Sequence, residues 1–387
     1  MPKKLWVLTD ATKDVNVNEF SIDREQVGGS QPFSVKKRQL KAALSQGVDT
    51  VEIDNGSLRF VVLPTRGMGI WKAWHADTPI GWNSPVRGPV HPKFVPLMEP
   101  GGLGWLDGFD ELIVRCGLES NGAPDFDEQG RLKYPLHGRI ANRPAQHLEL
   151  SVDPDAGEIH LTGIVDETRF HFSKLRLKST VITKFGEPSF RIVDEVTNLS
   201  GTPAELQLLY HVNVGPPLLE PGSRVVVPAQ TVAPRDAGAA TGIENWDAYG
   251  PAQAGSAEQV YFFELAADDK NRTAVLLKNA HASQGVSLGF SRAQLPYFVL
   301  WKNTAAEQDG YVTGLEPATN FPNRRTFESE RGRTVKLAPG ETARFELSLE
   351  FHAEPNDVAR AEQKISVLQG NLQPNKLNKP REGWSPA

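Results

Sequence analysis

Short stretches of alternating apolar and polar residues recur along most of the chain. Residues 147–152, 158–165, 189–198 and 343–351 show the period of two that is typical of strands, in which successive side chains point to opposite faces. Glycine, proline and asparagine punctuate these stretches, as Asn55-Gly56 does between two apolar runs. The pattern predicts an all-β fold with few short helices.

The strand predicted at residues 204–215 carries chemistry on one of its faces. Its apolar side chains alternate along the first face, whereas His211 and Asn213 share the second, more polar face. A sandwich core is not lined in this way, so His211 is a candidate functional residue. A satisfied structural histidine is the alternative.

A second candidate strand begins at Tyr311 and places Val312, Gly314 and Glu316 on one side. Pro317 is expected to stop the hydrogen-bond ladder directly after the carboxylate. A glutamate presented on a rigid element beside an open loop suits a general base. A glutamate that merely ends a strand is the alternative.

Three segments are harder to read. Residues 34–45 fit either a short helix or a basic edge strand. Residues 170–183 predict one long strand, with a bulge where the apolar parity slips. Residues 81–130 show little periodicity and predict a long functional loop. The aromatic rings and carboxylates at its centre suit a carbohydrate, although a structural loop would also fit.

The composition narrows the classes of function. The 387 residues fit one large all-β unit at 46–353, with an N-terminal extension at 1–45 packed on it and a helix and extended tail at 354–387. A net charge of −5 gives no electrostatic case for nucleic acid or an anionic membrane. The single Cys116 suits a reducing compartment, and no signal peptide or spanning segment is evident, so we expect a cytoplasmic protein.

Metal and anion sites receive little support from the spacing of residues. The nine histidines form no His-x-His or His-Glu-x-x-His pattern, so we expect no metal site. Convergence of His91, His137, His147 and His211 in space stays an open alternative. The arginines between residues 324 and 333 fit either an anionic substrate group or a solvated hairpin.

Several motifs together carry a family resemblance. They are Leu-Tyr-His211-Val-Asn-Val, Leu-Glu316-Pro, Pro-Leu-His137-Gly-Arg, Pro-Thr-Arg66-Gly-Met-Gly-Ile and the glycine loop around Trp105. In this order and strand context, over residues 45 to 352, the chain resembles the aldose 1-epimerase (galactose mutarotase-like) superfamily. The motifs are closest to a branch of it that is described only as aldose 1-epimerase-like.

The resemblance implies a large antiparallel β-sandwich with a sugar site across one concave sheet. His211 would be the general acid that protonates the ring oxygen, and Glu316 the general base that takes the anomeric proton. The residues expected to bind the sugar are His137, Arg66, Arg139, Asn142, Asp247, Trp105, Asn213 and Arg325. The implied protein is a cofactor-independent isomerase that acts on a small sugar as a monomer or homodimer.

Two departures leave other functions open. The family usually has His-Thr-Tyr-Phe-Asn-Leu after the acid histidine, where this chain has His211-Val-Asn-Val, and the 81–130 segment has no counterpart in the ordinary enzymes. A lyase or isomerase for oxidised sugars, or a non-catalytic carbohydrate-binding protein, would fit the same scaffold. The mutarotase hypothesis predicts that His211 and Glu316 face each other across a cleft wide enough for a pyranose.

Overall fold

The computed structural model describes residues 3–28 and 31–386. Its strands are β1 (Lys4–Asp10), β2 (Val15–Asn16), β3 (Glu19–Asp23), β4 (Ser34–Gln39), β5 (Asp49–Asp54), β6 (Leu58–Leu63), β7 (Gly69–His75), β8 (Thr78–Ile80), β9 (Ile113–Leu118), β10 (Asp125–Phe126), β11 (Leu132–Tyr134), β12 (Ala145–Asp153), β13 (Glu158–Thr168), β14 (Lys174–Lys184), β15 (Ser189–Asn198), β16 (Ala204–Val214), β17 (Arg224–Val226), β18 (Ala229–Pro234), β19 (Gln259–Leu265), β20 (Arg272–Lys278), β21 (Gly285–Ser291), β22 (Tyr297–Asn303), β23 (Val312–Ala318), β24 (Val335–Leu337), β25 (Thr342–His352) and β26 (Asn375–Lys376). The α-helices are α1 (Arg24–Val27), α2 (Ala237–Ala240), α3 (Arg325–Glu330) and α4 (Pro355–Gln369). Six short 3₁₀ turns lie at Ala43–Ser45, Pro92–Phe94, Gly104–Gly108, Ile140–Asn142, Ile243–Asn245 and Glu307–Asp309.

The strands form two large sheets, apart from β10 and β11, which form a small two-stranded sheet of their own. The first has ten strands in the order β17-β20-β21-β25-β15-β14-β13-β12-β1-β2. The second has fourteen and runs β26-β18-β19-β22-β23-β16-β9-β7-β6-β5-β4-β3, with β8 added beside β7 and β24 beside β16. Neighbours are antiparallel except β18 and β26. The prediction of a large, mostly antiparallel β-sandwich is therefore confirmed.

One hydrophobic core lies between the two sheets. Leu150 of β12 and Val212 of β16 both belong to it, so the inward faces of the two sheets pack on each other. A buried ion pair crosses this core, because Arg115 Nε of β9 lies 2.5 Å from Asp194 Oδ2 of β15. The hydroxyl of Tyr210 donates to the same carboxylate over 2.8 Å. These bonds satisfy the charged groups that the core encloses.

The N-terminal residues contribute strands to both sheets. Strand β1 pairs with β12 of the first sheet, and β4 pairs with β3 and β5 of the second. Residues 34–39 are therefore a strand with a neighbour on each side, rather than a helix or an edge strand. Strand β4 buries Val35, which is fully enclosed, and exposes basic residues on its other face.

Two predicted strand features differ in the structure. The prediction of a bulged strand over residues 170–183 is wrong, since β14 begins only at Lys174 and its pairing with β13 is unbroken. Phe170 and Phe172 are exposed in the preceding turn, which explains the slip in apolar parity. Pro317 does not end its strand as predicted, since β23 continues to Ala318. The pairing of β23 with β16 is interrupted between Leu209↔Ala318 and Val212↔Leu315, and the N–H that Pro317 lacks falls in this gap.

The segment 81–130 is not wholly a loop. Strand β9 lies within it and pairs with β16 near the middle of the second sheet. Sequence patterning misses β9 because the strand is buried on both faces, so it lacks the apolar–polar alternation of a half-buried strand. The remainder of the segment wraps over the outer face of the second sheet, where Trp82, Trp105 and Phe109 form a separate hydrophobic cluster.

The C-terminal part closes the sandwich at one side. Helix α4 packs Val358 and Ile365 against Leu276 of β20. The tail beyond it returns to the second sheet, where Trp384 is buried against Phe321 at a ring-centroid distance of 4.9 Å. Among the described residues, no helix has the length and apolar character needed to cross a membrane.

Candidate active site

His211 and Glu316 meet on the outer face of the second sheet. Strands β16 and β23 pair in a register that sets Val212 opposite Leu315, and this register places His211 opposite Glu316. His211 Nε2 lies 3.1 Å from Glu316 Oε1, and both side chains are more than nine-tenths buried. The alternation in both strands, with the core on the opposite face, is what brings the two groups together.

The amide of Asn213 sets the tautomer of His211. Asn213 Nδ2 donates to the carbonyl oxygens of Glu111 and His211, so its Oδ1 is turned toward the imidazole. His211 Nδ1 lies 2.6 Å from that oxygen and must carry the proton of this hydrogen bond. In the neutral ring, Nε2 is therefore unprotonated, and this atom faces Glu316.

Burial determines the charge state of the pair. It lowers the pKa of His211 to about 3, with a further contribution from His137 nearby. Burial also raises the pKa of Glu316 well above the ordinary carboxyl value, and the carboxylate of Glu258 adds to this rise. Both shifts favour uncharged groups, so the pair holds one proton, on the carboxyl of Glu316. Apart from its 3.1 Å approach to His211 Nε2, Glu316 Oε1 has no hydrogen-bond partner among the described residues.

A cavity of about 290 Å³ opens above this pair. Strands β16, β19, β22 and β23 supply its floor, and the loops around residues 103–109, 123 and 136–137 supply its walls. It is lined by Leu103, Trp105, Leu106, Phe109, Ala123, Leu136, His137, His211, Arg235, Glu258, Val260, Trp301, Glu316 and Pro322. Four of the candidates from the sequence, Trp105, His137, His211 and Glu316, therefore converge on one cavity.

Aromatic rings surround the imidazole of His211. Phe109 and Trp301 approach it edge-on at centroid distances of 5.1 and 5.3 Å, and His137 lies at 5.6 Å. His137 Nδ1 lies 2.9 Å from the carbonyl oxygen of Asn121, so Nδ1 is the protonated atom and Nε2 is left as an acceptor. Burial lowers the pKa of His137 to about 4, which keeps this ring neutral.

Sequence reasoning missed the far wall of the cavity. Arg235 Nη2 donates to Glu258 Oε1 over 2.9 Å, and Trp301 Nε1 donates to Glu258 Oε2 over 2.7 Å. Arg235 and Glu258, which line the cavity in addition to the catalytic candidates, are thus paired with each other. Neither residue has a distinctive sequence signal: Arg235 directly follows β18 and Glu258 directly precedes β19, and these two strands pair with each other in the second sheet.

Arg66 does not line the cavity. Its guanidinium is buried, with Nε 2.6 Å from Glu111 Oε1. It also donates to the carbonyl oxygens of Val90 and Gly108 and to Oδ1 of Asn142. These bonds join the turn after β6 to three separate loops, and they make Arg66 a structural residue of the loop layer.

The other candidates lie outside the cavity as well. Asp247 pairs with Arg224 at 2.6 Å. Arg325 donates to the backbone of Glu119 and to Glu205. Arg139 and Asn142 line a different pocket, with Arg143 and Arg169. Asn213 contacts the Nδ1 side of His211, as described above.

The pair does not face across a cleft, contrary to the expectation from the sequence. At 3.1 Å, no pyranose fits between His211 and Glu316; a ligand would instead lie above both groups. Among the described residues, no three His, Cys, Asp or Glu side chains are arranged to hold a metal ion.

The fold and the cavity define a β-sandwich of the galactose mutarotase-like class. The family model described as a domain of unknown function, DUF4432, matches residues 45–351. The chain is 33% identical to a protein from Klebsiella pneumoniae subsp. pneumoniae MGH 78578 whose crystal structure is provisionally described as an aldose 1-epimerase. That structure aligns with a TM-score of 0.94 over 98% of this chain and 100% of its own.

This chain belongs to the DUF4432 family, within the aldose 1-epimerase (galactose mutarotase-like) superfamily. More distant structures share the fold. A galactose mutarotase-like protein from Clostridium acetobutylicum has 15% identity and a TM-score of 0.58, over 87% of this chain and 99% of its own. A galactose 1-epimerase from Lactobacillus acidophilus NCFM has 12% identity and a TM-score of 0.55, over 84% and 99%. No curated protein matches the chain.

Proposed function

We propose that the protein is an aldose 1-epimerase-type isomerase that interconverts the anomers of an uncharged sugar without a cofactor. The observation that carries this proposal is the buried contact between His211 and Glu316 at the floor of a cavity. A cyclic hemiacetal opens when the anomeric hydroxyl loses a proton while the ring oxygen gains one. These two oxygens share one carbon, so adjacent acid and base groups can reach both.

One proton held by the pair is sufficient for the reaction. The family resemblance gives His211 the role of acid and Glu316 that of base, which requires the proton of the carboxyl to pass to Nε2 when the sugar binds. Glu316 then takes the anomeric proton as His211 protonates the ring oxygen. Ring closure on the other face reverses both transfers, and each group contributes about 10²–10⁴-fold.

Unpaired groups along the cavity support binding of hydroxyl groups. The indole N–H of Trp105 is buried without an acceptor among the described residues, and His137 Nε2 is an unprotonated acceptor. A sugar hydroxyl satisfies either, because it both donates and accepts. Aromatic rings beside these groups suit the apolar faces of a pyranose.

The charge of the cavity favours a neutral substrate over an acidic one. Arg235 and Glu258 compensate each other, and burial keeps both histidines uncharged. A carboxylate or phosphate on the sugar would find no unpaired cation among the residues that line this cavity. None of the four arginines between residues 324 and 333 lines the cavity, and two of them are paired, Arg325 with Glu205 and Arg333 with Glu328.

Anomeric exchange measured by NMR magnetisation transfer tests this function. Galactose, glucose and other neutral aldoses are compared with galacturonate and galactose 6-phosphate. We expect exchange of at least one neutral aldose to accelerate in proportion to protein concentration, with no acceleration for the two anionic sugars. If no neutral aldose exchanges faster than in buffer, the proposal is contradicted.

A further inference from the structure

A second pocket, lined by arginines, lies apart from the sugar cavity. It has a volume of about 460 Å³ and is lined by Pro92, Leu97, Met98, Arg139, Asn142, Arg143 and Arg169. It shares no lining residue with the cavity above His211. Three guanidinium groups and no carboxylate line it, in a chain whose net charge is −5.

The cations of this pocket lack strong partners. Arg143 and Arg169 form no ion pair with any residue in 3–28 or 31–386, and Arg169 stacks on Phe172 at 3.9 Å. Arg139 is only 9% exposed, yet among the described residues its guanidinium makes only two long contacts, to Glu119 Oε2 at 3.8 Å and to the thioether sulfur of Met98 at 3.7 Å. A buried guanidinium ordinarily makes several short bonds to oxygen.

An amide donor next to the arginines is also unsatisfied. Asn142 is 7% exposed, and its Oδ1 accepts from Arg66 Nη1 over 2.9 Å. This bond fixes the orientation of the amide, because the alternative would set two donors against each other. Asn142 Nδ2 is left without an acceptor among the described residues. An unpaired buried donor is costly, and a ligand that carries acceptors would relieve the cost.

We propose that this pocket binds a small anion through a phosphate or carboxylate group. The planar guanidinium groups of Arg139, Arg143 and Arg169 present paired donors that match the oxygens of either group. The ligand supplies the short bonds that Arg139 lacks. Its site is distinct from the sugar cavity, since the two pockets share no lining residue.

Isothermal titration calorimetry with inorganic phosphate and with succinate, at constant ionic strength, tests the site. The variants are Arg143→Gln, Arg169→Gln and the double variant; these residues have no ion pair to lose, so folding is expected to persist. Arg38→Gln, at an exposed arginine of β4, is the matched control. We expect saturable binding by the wild type and the control. We expect each single substitution to weaken affinity about tenfold, as loss of a charge-assisted hydrogen bond does.

The two ligands distinguish the chemistry. Tighter binding of phosphate assigns a phosphate group to the ligand, and tighter binding of succinate assigns a carboxylate; either supports the site. Absence of saturable binding of both by the wild type, or equal affinity in the wild type and the double variant, would overturn the proposal.

Discussion

His211 and Glu316 stand opposite each other on adjacent antiparallel strands, with 3.1 Å between Nε2 and Oε1. Their backbones are fixed by neighbours on both sides, since β16 lies between β9 and β23 and β23 lies between β16 and β22. A pair held on central strands is more rigid than one held on loops. The positions around this contact therefore give sharp tests of the proposed function.

Gly314 provides the space that the pair occupies. A methyl group at this position would lie 2.5 Å from Glu316 Oε1 and 3.0 Å from His211 Cε1. The carboxyl group can rotate away, so we expect Gly314→Ala to remain folded but to lose about 10²-fold in anomeric exchange, as misplacement by about 1 Å does. Gly289→Ala, whose methyl group would lie 2.7 Å from Ser348 Oγ far from the cavity, is the control. Full activity of Gly314→Ala would show that the contact is dispensable.

Asn213 is a positioning residue whose effect is visible in the pH profile. In Asn213→Leu, His211 Nδ1 loses its acceptor and the tautomer is no longer fixed, so we expect kcat to fall about 10- to 100-fold, as for other groups that orient an imidazole. Asn213→Asp restores an acceptor but adds a negative charge, which raises the pKa of His211. The acidic limb of its profile should move to higher pH. An unchanged rate and profile in both variants would refute this role.

The wild-type pH profile should reflect the two shifted groups. The active pair holds one proton. It gains a second only as the pH falls toward the pKa of His211, about 3. It loses its last proton only as the pH rises through the pKa of Glu316, which is well above the ordinary range. After subtraction of the spontaneous rate, kcat/KM should show no inflection near about 4.3 or 6.5, the ordinary values. Limbs at those two values would contradict the assigned charge states.

Arg66 should affect stability more than catalysis. Arg66→Ala leaves the Glu111 carboxylate buried without its partner, and loss of one member of a buried pair costs about 3–5 kcal/mol in the free energy of unfolding. Arg59→Ala, which breaks a surface pair with Glu52 at 3.3 Å, should cost about 1 kcal/mol or less. Urea unfolding measures both. Unchanged stability of Arg66→Ala together with a raised KM would instead identify a substrate-binding residue.

The strand patterns reveal the centre of the site because a period of two assigns each side chain to a face. That rule identifies His211 and Glu316 as candidates, and the structure places the two on the same outer face. The role of Arg66 cannot be predicted in this way. An arginine between small residues has the same local pattern whether it meets a ligand or Glu111, which lies 45 residues away. The local sequence around a residue does not show which distant residue the fold brings into contact with it.

The far wall of the cavity could not be predicted from the sequence. Arg235 and Glu258 lie 23 residues apart, at the end of β18 and just before β19, and only the pairing of these strands brings them together. Strand β9 was hidden because both of its faces are buried. The order of strands in the sheet, rather than any one segment, decides which residues line the site.

Anomeric exchange by Glu316→Gln and His211→Asn, measured by NMR on the aldose that the wild type accelerates most, tests the central claim. His160 and Glu158 form a similar pair on the surface of the first sheet, with 2.9 Å between Nε2 and Oε2, so His160→Asn and Glu158→Gln are matched controls. We expect each cavity substitution to lower the catalysed rate by about 10²–10⁴-fold with the fold retained, and the controls to match the wild type. Wild-type exchange rates in both cavity variants would contradict catalysis by this pair.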